Sequence, residues 1–393
     1  MYINRFIDVF EKTIAKSMFL FGPRQTGKSS LVRHSLPKEA VTFNLLDHAV
    51  FLKLSADPTL LRQQLLKNHN DAVNRLVVVD EIQKLPVLLD EVHLLIEEYG
   101  FRFVLTGSSA RKLRRAGVNL LGGRARNQYL HPLTFIELGS EKFDLSKALN
   151  RGLIPSHYFS DRARSDLRTY AGSYLETEIA TEAAVRNIES FSRFLQVAAM
   201  CNGQILNQTT IASDAKVARK TIAEYIEILT DTLLAYELPA WNKSQKRKAL
   251  ETSKLYFFDV GVARAIQDLP AVKEKSADFG DAFEQYIFHE LKTYIDYVNP
   301  GATLHYWRST TGFEVDFILD NQIAIEVKAK NQVSTKDLKG LRALAEESAM
   351  KVYLVVSMES TARKTDDGIL ILPWREFLTS LWNDVFIKTP DEF

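Results

Sequence analysis

The sequence predicts an α/β fold for the N-terminal part of the chain, and two patterns support this prediction. Apolar runs of strand length lie at residues 18–21 and 76–79, and a third strand, apolar after Arg102, is predicted at 102–105, as expected for buried parallel strands. Between the second and third runs, apolar residues recur at helical spacing and indicate a helix with a buried face. They are Leu85, Leu88, Leu89, Val92, Leu95, Ile96 and Tyr99. Sheets of this kind bind ligands at the carboxyl ends of their strands.

The first apolar run leads into the pattern G-x-x-x-x-G-K-S, from Gly22 to Ser29. Gly22 and Gly27 allow the backbone to curl with its N–H groups inward, and the helix that follows adds its positive N-terminal end. Lys28 would reach the β and γ phosphates of a nucleotide, and the Ser29 hydroxyl would coordinate Mg²⁺. The alternative is a glycine-rich turn without a ligand. The predicted nucleotide-binding residues are Gly22, Pro23, Arg24, Gln25, Thr26, Gly27, Lys28, Ser29 and Ser30.

Polar residues follow the second and third predicted strands. Asp80 and Glu81 come directly after Leu76–Val79, where Asp80 would hold Mg²⁺ and Glu81 would orient or deprotonate the water that attacks the γ phosphate. Such a pair can also be a solvated strand end. Ser108 follows the third strand and would contact the γ phosphate or the water, although a helix N-cap is an equal alternative.

Composition narrows the class of protein. The 393 residues carry a net charge of +1, so a surface that binds nucleic acid must be local. The single cysteine, Cys201, excludes an intrachain disulfide framework and a cysteine-rich zinc site. No apolar stretch reaches membrane-spanning length, and the N-terminus carries charges where a signal peptide would be apolar. We therefore expect a cytoplasmic protein without a membrane partner.

The motifs together resemble one family. The segments GPRQTGKS, VVVDEIQK, LTGSSA and LLGGRARNQYLHPL, and later KLYFFDVGVARAI and FEVDFIL…IEVK, are similar to those of prokaryotic AAA+ ATPases that carry a C-terminal domain long described as of unknown function. The resemblance implies ATP and Mg²⁺ as ligands and a closed ring of subunits, expected to be a hexamer. It also implies that Arg124, or Arg126 as a substitute, reaches the nucleotide of a neighbouring subunit, where a guanidinium stabilises the transferring phosphoryl group. The alternative is a surface arginine that contacts solvent or an acidic neighbour.

We expect four parts in this α/β chain. An AAA+ P-loop ATPase core (1–133) precedes a helical lid and connector (134–202), a winged helix-turn-helix domain (203–265) and a nuclease-like α/β domain (275–393). Helices predicted at 209–214 and 218–229 form the helix-turn-helix. The second helix presents Arg219 and Lys220 at the end that normally approaches DNA.

Two further strands, at 233–241 and 250–258, are predicted to form a wing. Its tip carries basic residues suited to a phosphate backbone, namely Lys243, Lys246, Arg247 and Lys248. The competing interpretation is a winged helix used only for packing between subunits.

The C-terminal part allows a register argument. If 320–322 form a three-residue loop, Leu319 faces Ile323, Phe317 faces Ile325 and Val315 faces Val327, and these six apolar residues share one face. The opposite face then brings Asp316 across from Glu326. This pair and Lys328 resemble the metal-dependent nuclease core written D, then E-x-K, with Glu284 as the extra acid from the preceding helix. The resemblance implies Mg²⁺ at Asp316 and Glu326, with Lys328 positioning water; the alternative is a polar sheet face.

Two functions remain open. The first is an ATP-driven motor that binds DNA, with branched DNA as one candidate substrate and a nuclease-like C-terminal domain. The second is a nucleotide-controlled switch or scaffold that binds protein partners without processing DNA. The basic wing tip favours the first, and the near-zero net charge is compatible with both.

Overall fold

A computed structural model describes residues 2–68, 76–108, 111, 113, 121–174, 185, 187–243, 246–347 and 350–388. The chain divides into two compact units. Among the described residues, the first unit contains 2–132, 185 and 231–234, and the second contains 133–174, 187–230 and 235–388.

The first unit is built on a parallel sheet of five strands in the order β2-β3-β4-β1-β5. The strands are β1 (Ser17–Phe21), β2 (Val41–Asn44), β3 (Leu76–Asp80), β4 (Arg102–Gly107) and β5 (Ala125–Tyr129). Described helices of this unit include Val9–Ala15, Lys28–Ser35, His48–Ala56, Leu60–Asn68 and Leu88–Tyr99, with 3₁₀ turns at Ile82–Lys84 and Leu121–Gly123.

The predicted α/β sheet is confirmed, because the three apolar runs form β1, β3 and β4. The sequence also predicts a strand at residues 127–130, and the observed β5 begins two residues earlier, at Ala125. The sequence did not reveal β2, whose four residues include only one buried side chain, Phe43. The predicted helical stripe is confirmed as well, since Leu88, Leu89, Val92 and Leu95 lie in the core of this unit.

The second unit begins with short helices. Those before the two-stranded sheet are Phe135–Leu138, Leu145–Arg151, Pro155–Tyr158, Ala163–Thr169, Ile188–Met200, Gln208–Ala215 and Arg219–Asp231, with a π-helical turn at Tyr170–Tyr174. The last two helices match the predicted helix pair to within two residues at each end. The antiparallel strands β6 (Ala235–Leu238) and β7 (Lys254–Phe257) follow, then the helices Val260–Ile266 and Phe279–Tyr297.

A six-stranded mixed sheet completes the second unit, in the order β12-β13-β11-β10-β9-β8. Its strands are β8 (Leu304–Arg308), β9 (Glu314–Leu319), β10 (Ile323–Lys328), β11 (Val352–Ser357), β12 (Arg363–Lys364) and β13 (Leu370–Pro373). The remaining described helices are Lys339–Ala345, Trp374–Trp382 and Val385–Lys388, with a 3₁₀ turn at Thr335–Leu338.

The predicted pairing of β9 with β10 is confirmed at Leu319–Ile323 and Phe317–Ile325. The prediction that Val315 shares the face of Phe317 is wrong. Val315 belongs to the core cluster that contains Ile318 and Ala324, whereas the Phe317 ring lies near that of Phe288, at 6.2 Å. The physical reason is a shift in the pairing of β8 with β9, which leaves Asp316 and Phe317 opposite Tyr306 alone. Such a bulge interrupts the alternation of faces.

The predicted wing also differs from the structure. Both strands are shorter than predicted. The segment between them forms isolated bridges from Ala240 to Tyr306 of β8 and from Ala249 to Ser309, the residue after β8. The tip residues 244–245 lie outside the described residues. The backbone N–H groups of Lys246 and Arg247 both donate to Glu347, at 2.6 and 3.0 Å. This segment is therefore attached to the C-terminal sheet at both ends.

Candidate functional site

The glycine-rich loop connects β1 to the helix Lys28–Ser35. A Cβ atom on Gly22 would lie 2.3 Å from the Leu130 carbonyl oxygen, so only glycine fits there. Gly27 has φ +97°, and Gln25 also has a left-handed φ of 63°. The Thr26 hydroxyl donates to the Pro23 carbonyl at 2.8 Å. These contacts fix the loop that the sequence pattern predicted.

Lys28 and Ser29 open the helix behind this loop. The Lys28 Nζ is buried and donates to the carbonyls of Gly22 at 2.7 Å and Pro23 at 3.1 Å. The Ser29 Oγ donates to Asp80 Oδ2 at 2.9 Å. The structure therefore brings together the two residues predicted to hold Mg²⁺. A cavity of about 470 Å³ lies beside them and is lined in part by Arg33, Thr42 and Asn44.

Glu81 follows Asp80 with a left-handed φ of 63°. The Gln83 side-chain amide donates to Glu81 Oε2 and, at 3.0 Å, to the Ser108 Oγ. The Thr106 hydroxyl donates to Asp80 Oδ1. The ends of β3 and β4 are thereby linked by the bridge from Gln83 to Glu81 and Ser108 and by the bond from Thr106 to Asp80.

Sequence reasoning missed two residues that support this site. Gln83 is 3% exposed and lies on the 3₁₀ turn after Glu81. Because Glu81 and Lys84 close by are polar as well, no local signal in the sequence indicated that Gln83 is buried. Arg5 donates to the carbonyls of Thr26 at 2.7 Å and His131 at 2.6 Å. It thus connects the phosphate loop to the end of β5, which no local pattern indicated.

The remaining predicted loop residues, Arg24 and Ser30, are half-buried. The guanidinium of Arg124 forms an ion pair with Glu97 of the same chain, and both side chains are partly exposed. Arg126 is exposed on β5. Within one chain, Arg124 therefore contacts an acidic neighbour, Glu97. This contact is the one named above as the alternative to a catalytic role.

The residues predicted to bind DNA fall into two groups. Arg219 and Lys220 are exposed at the N-terminal end of their helix. Lys243, Lys246 and Lys248 are exposed as well. Arg247 does not belong with them, because it forms ion pairs with Glu346 and Glu347 and lies 5.4 Å from the centre of the Phe313 ring. The charge of Arg247, predicted to contact a phosphate backbone, is therefore already paired within the chain.

The structure brings the four residues of the predicted nuclease core together. Lys328 Nζ lies 2.5 Å from Glu326 and 3.9 Å from Asp316. Asp316 Oδ2 accepts a hydrogen bond of 2.7 Å from the Val327 N–H. Burial raises the pKa of Glu326, and the charges of Asp316 and of Glu284, on the helix Phe279–Tyr297, raise it further. We call Glu284, Glu314, Asp316 and Glu326 the carboxylate cluster.

Sequence reasoning missed Lys254 of β7. Its Nζ lies 2.6 Å from Glu314 and 3.5 Å from Glu284, and the side chain is 5% exposed. Burial lowers the pKa of Lys254, but Glu284, Asp316 and Glu314 outweigh it, so the net shift is upward. A lysine beside the apolar run Leu255–Phe258 was the signal that could have revealed a buried partner of opposite charge.

Burial also raises the pKa of Glu284, to about 7, and the charge of Asp316 adds to this rise. The Tyr256 hydroxyl donates to Glu284 Oε1 at 2.6 Å. Among the described residues, no group of three or more His, Cys, Asp or Glu side chains is placed to hold a metal ion. The carboxylates face lysine ammonium groups instead. The arrangement therefore does not fit the Mg²⁺ site predicted at Asp316 and Glu326.

The five-stranded parallel sheet and its glycine-rich loop define a P-loop α/β domain. Residues 15–139 match the family model described as an AAA domain. Two domains of unknown function match the rest, DUF8612 at residues 142–273 and DUF4143 at residues 279–377. In the part of the chain that the structure describes, no helix has the length and apolar character needed to cross a membrane.

The chain is also similar to curated proteins that are themselves described as uncharacterized. It is 27% identical over 318 residues to the uncharacterized protein Rv2008c of Mycobacterium tuberculosis, covering 78% of this chain and 68% of that protein. It is 24% identical over 359 residues to the uncharacterized protein MJ1544 of Methanocaldococcus jannaschii, covering 83% of this chain and 77% of that protein.

Two solved structures show remote similarity. One is the replication initiator DnaA bound to AMPPCP and single-stranded DNA, with 13% identity over 55% of this chain and 82% of that chain, and a TM-score of 0.28. The other is the Bacillus subtilis DNA clamp loader delta protein, with 15% identity over 57% of this chain and 88% of that chain, and a TM-score of 0.25. These TM-scores are too low to carry an argument.

Proposed function

We propose that this protein is an AAA+ ATPase that binds ATP with Mg²⁺ and hydrolyses it. The hydrogen bond between Ser29 and Asp80 carries the proposal, because it joins the phosphate loop to β3 beside Glu81. When bound, Mg²⁺ would neutralise charge on the β and γ phosphates, held by Ser29 and Asp80.

The chain's own residues supply the other functions. The N–H groups of the loop and the N-terminal end of the helix Lys28–Ser35 would bind the phosphates. Lys28 would exchange the carbonyls of Gly22 and Pro23 for phosphate oxygens. Glu81 would orient the attacking water and accept its proton. Ser108, held by Gln83, would contact the γ phosphate or that water.

Two substitutions test these functions. Lys28→Ala should abolish ATP binding, since it removes the cation at the phosphates, and Glu81→Gln should keep binding but lose hydrolysis. Binding of a fluorescent ATP analogue and release of inorganic phosphate measure the two steps. Lys53→Ala, an exposed lysine on the helix His48–Ala56 of the same unit, is the matched control. Normal turnover in either Lys28→Ala or Glu81→Gln would refute the assignment.

We further propose that DNA is a ligand and that the helix Arg219–Asp231 contacts it. Arg219 and Lys220 are exposed at the N-terminal end of this helix, which is the second of the helix pair and precedes the two-stranded sheet β6-β7. This order of elements supports a winged helix-turn-helix, and the exposed charges suit phosphate contacts. Lys243, Lys246 and Lys248 would add non-specific attraction.

Charge reversal tests the DNA proposal. The pair Arg219→Glu and Lys220→Glu should weaken DNA binding and flatten its dependence on salt, with the slope falling by about one for each phosphate that is no longer neutralised. Binding is measured by fluorescence anisotropy with duplex and branched DNA at several salt concentrations. A double variant of equal charge change, Lys336→Glu with Lys339→Glu, lies far along the chain in the 3₁₀ turn Thr335–Leu338 and the helix that follows it, and serves as the control. Unchanged binding in the Arg219 and Lys220 variant would refute the contact by this helix, and a parent protein without salt-dependent DNA binding would favour the nucleotide-controlled protein switch.

We also propose that subunits assemble in a ring, with a hexamer as the expected size, in which Arg124 reaches the nucleotide of a neighbour. The ion pair with Glu97 is partly exposed, and such pairs contribute about 0–1 kcal/mol, so Arg124 could leave it at little cost.

For the C-terminal domain we derive no cleavage step, because the carboxylate cluster is paired with lysines.

A further inference from the structure

We infer that the ammonium group of Lys254 takes the position of a metal ion in the carboxylate cluster, so that the C-terminal domain is closed to divalent cations. This inference does not depend on the proposed ATP hydrolysis, because it concerns a different unit of the chain.

The contacts of Lys254 are those of a bound cation. Its Nζ lies 2.6 Å from Glu314 Oε1 and 3.5 Å from Glu284 Oε1, and 5.3 Å from the centre of the Tyr306 ring. An ammonium group is a compact charge with three donors. Carboxylate oxygens are also the ligands that Mg²⁺ and Mn²⁺ prefer. Lys254 therefore competes for the same oxygen atoms as a divalent ion would.

The charges of the cluster are nearly balanced without a metal. Its four carboxylates are Glu284, Glu314, Asp316 and Glu326, and among the described residues three cationic side chains lie within 4 Å of them. Those cations are Lys254, Lys328 and Arg308. A divalent ion added to this set would face two ammonium groups at short range, where like charges repel strongly.

The strand β7 holds Lys254 firmly in place. Tyr256 lies two residues further on the same strand, and its hydroxyl donates to Glu284 Oε1 at 2.6 Å. Its buried ring stacks on Phe288 with 4.2 Å between ring centres. The N–H of Leu255 donates to the Gln204 carbonyl at 3.1 Å. Because neighbouring residues anchor the strand, the backbone holds Lys254 beside the cluster, where its side chain is 5% exposed.

Mn²⁺ binding to the full chain, without nucleotide, tests the inference. All proteins carry Asp80→Asn so that the nucleotide site does not bind the metal, and free Mn²⁺ is followed by electron paramagnetic resonance. The parent and Lys254→Arg should show no site at submillimolar Mn²⁺. Lys254→Met should gain one site per chain, at least tenfold tighter than any binding by the parent. Adding Asp316→Asn to Lys254→Met should remove that site.

Lys292→Met is the matched control, because Lys292 also pairs with a carboxylate, Asp296, but outside the cluster. It should bind Mn²⁺ as the parent does. A site in the parent that Asp316→Asn removes would overturn the inference, as would a folded Lys254→Met protein without a site. If Lys254→Met folds only when Mn²⁺ is present, the metal replaces the ammonium group and the inference stands. If it fails to fold with Mn²⁺ as well, the inference fails.

Discussion

The single amide group of Gln83 links two residues on which the proposed hydrolysis depends. It donates to Glu81 and to Ser108, and its Oε1 atom has no hydrogen-bond partner among the residues that the structure describes. A Cβ atom on Gly107 would lie 2.7 Å from this Oε1, so a side chain at residue 107 would displace the Gln83 amide. The amide therefore has one orientation that satisfies both partners, and it holds the Glu81 carboxylate relative to β4.

We predict that Gln83→Met lowers the kcat for ATP by about 10- to 100-fold, the usual effect of removing a group that orients a reactive side chain. The affinity for ATP should change little, because Gln83 donates to Glu81 and Ser108 and not to the phosphate loop. Steady-state hydrolysis and equilibrium binding separate the two quantities. Gln63→Met, an exposed glutamine of the same unit, should leave both unchanged; equal losses of affinity and kcat in Gln83→Met would contradict a positioning role.

At the scale of single residues, the sequence predicted the site residues that lie close to one another along the chain. Gly22, Lys28 and Ser29 lie within eight residues of one another, so one turn determines their geometry. Gln83, Arg5 and Lys254 were missed because their partners are distant in the chain. The Arg5 contact with His131 spans 126 residues, and the Lys254 contact with Glu314 joins two different sheets.

At the scale of elements, Asp259 begins the helix Val260–Ile266 and connects it to a loop far away in the chain. Its carboxylate accepts hydrogen bonds from the N–H groups of Val262 at 3.0 Å and Leu153 at 2.6 Å. A Cβ atom on Gly152 would lie 2.1 Å from Asp259 Oδ1, so glycine is required beside it. The side chain is 2% exposed, and burial raises its pKa to about 6 although the N–H groups lower it.

We predict that Asp259→Ala lowers the free energy of unfolding of this unit by about 2 kcal/mol or more at pH 7, because the helix is left without its cap and the Leu153 N–H stays buried without a partner. Asp144→Ala, which removes a half-buried cap that accepts from the Lys147 N–H, should cost about 1 kcal/mol. Urea unfolding measures both. Equal small losses would show that the bond to Leu153 contributes nothing.

The raised pKa of Asp259 gives this prediction a pH dependence. Between the ordinary aspartate pKa of 3.8 and the folded value of about 6, the folded state keeps a proton that the unfolded state has released. The stability that comes from this retained proton is therefore present at about pH 4 and is lost as the pH rises to about 6, whereas the hydrogen bonds from Val262 and Leu153 still contribute at pH 7. The difference in stability between the parent and Asp259→Ala should narrow over that range, and a difference that widens would contradict the assigned pKa shift.

Helices and strands were predictable where the spacing of apolar residues stayed regular over the whole element. The sheet of the first unit and the helix pair at 208–231 follow their apolar patterns. The alternation in β9 failed at Val315 because the pairing with β8 contains a bulge, which depends on a neighbouring strand and leaves no local signal. The bulge lies at Asp316, one of the four carboxylates, where it changes the face to which side chains point. The two strands of the wing were predicted too long. The segment that connects them pairs with Tyr306 and Ser309 instead of continuing the hairpin.

At the scale of the whole molecule, the proposed ATPase site needs Arg124 from a neighbouring subunit in addition to the residues of one chain. The phosphate loop, Asp80, Glu81 and Ser108 lie in one unit of a single chain. The described contacts of the Arg124 guanidinium are Glu97 and the Gly122 carbonyl. If Arg124 stabilises the phosphoryl group of a neighbouring subunit, a lone chain lacks a cationic group that is worth several orders of magnitude in rate.

We predict that mixing Arg124→Ala chains with Glu81→Gln chains restores ATP hydrolysis that neither variant shows alone. In a randomly mixed ring, about a quarter of the interfaces would join an intact Glu81 to a neighbour's intact Arg124. Phosphate release after subunit exchange measures the recovery, and light scattering gives the size of the assembly. Glu97→Gln distinguishes the two roles of Arg124: it should keep full activity if Arg124 acts on a neighbour's nucleotide, since the Glu97 ion pair is then dispensable. A loss in Glu97→Gln equal to that in Arg124→Ala, with no recovery on mixing, would show that the ion pair within the chain is the function of Arg124.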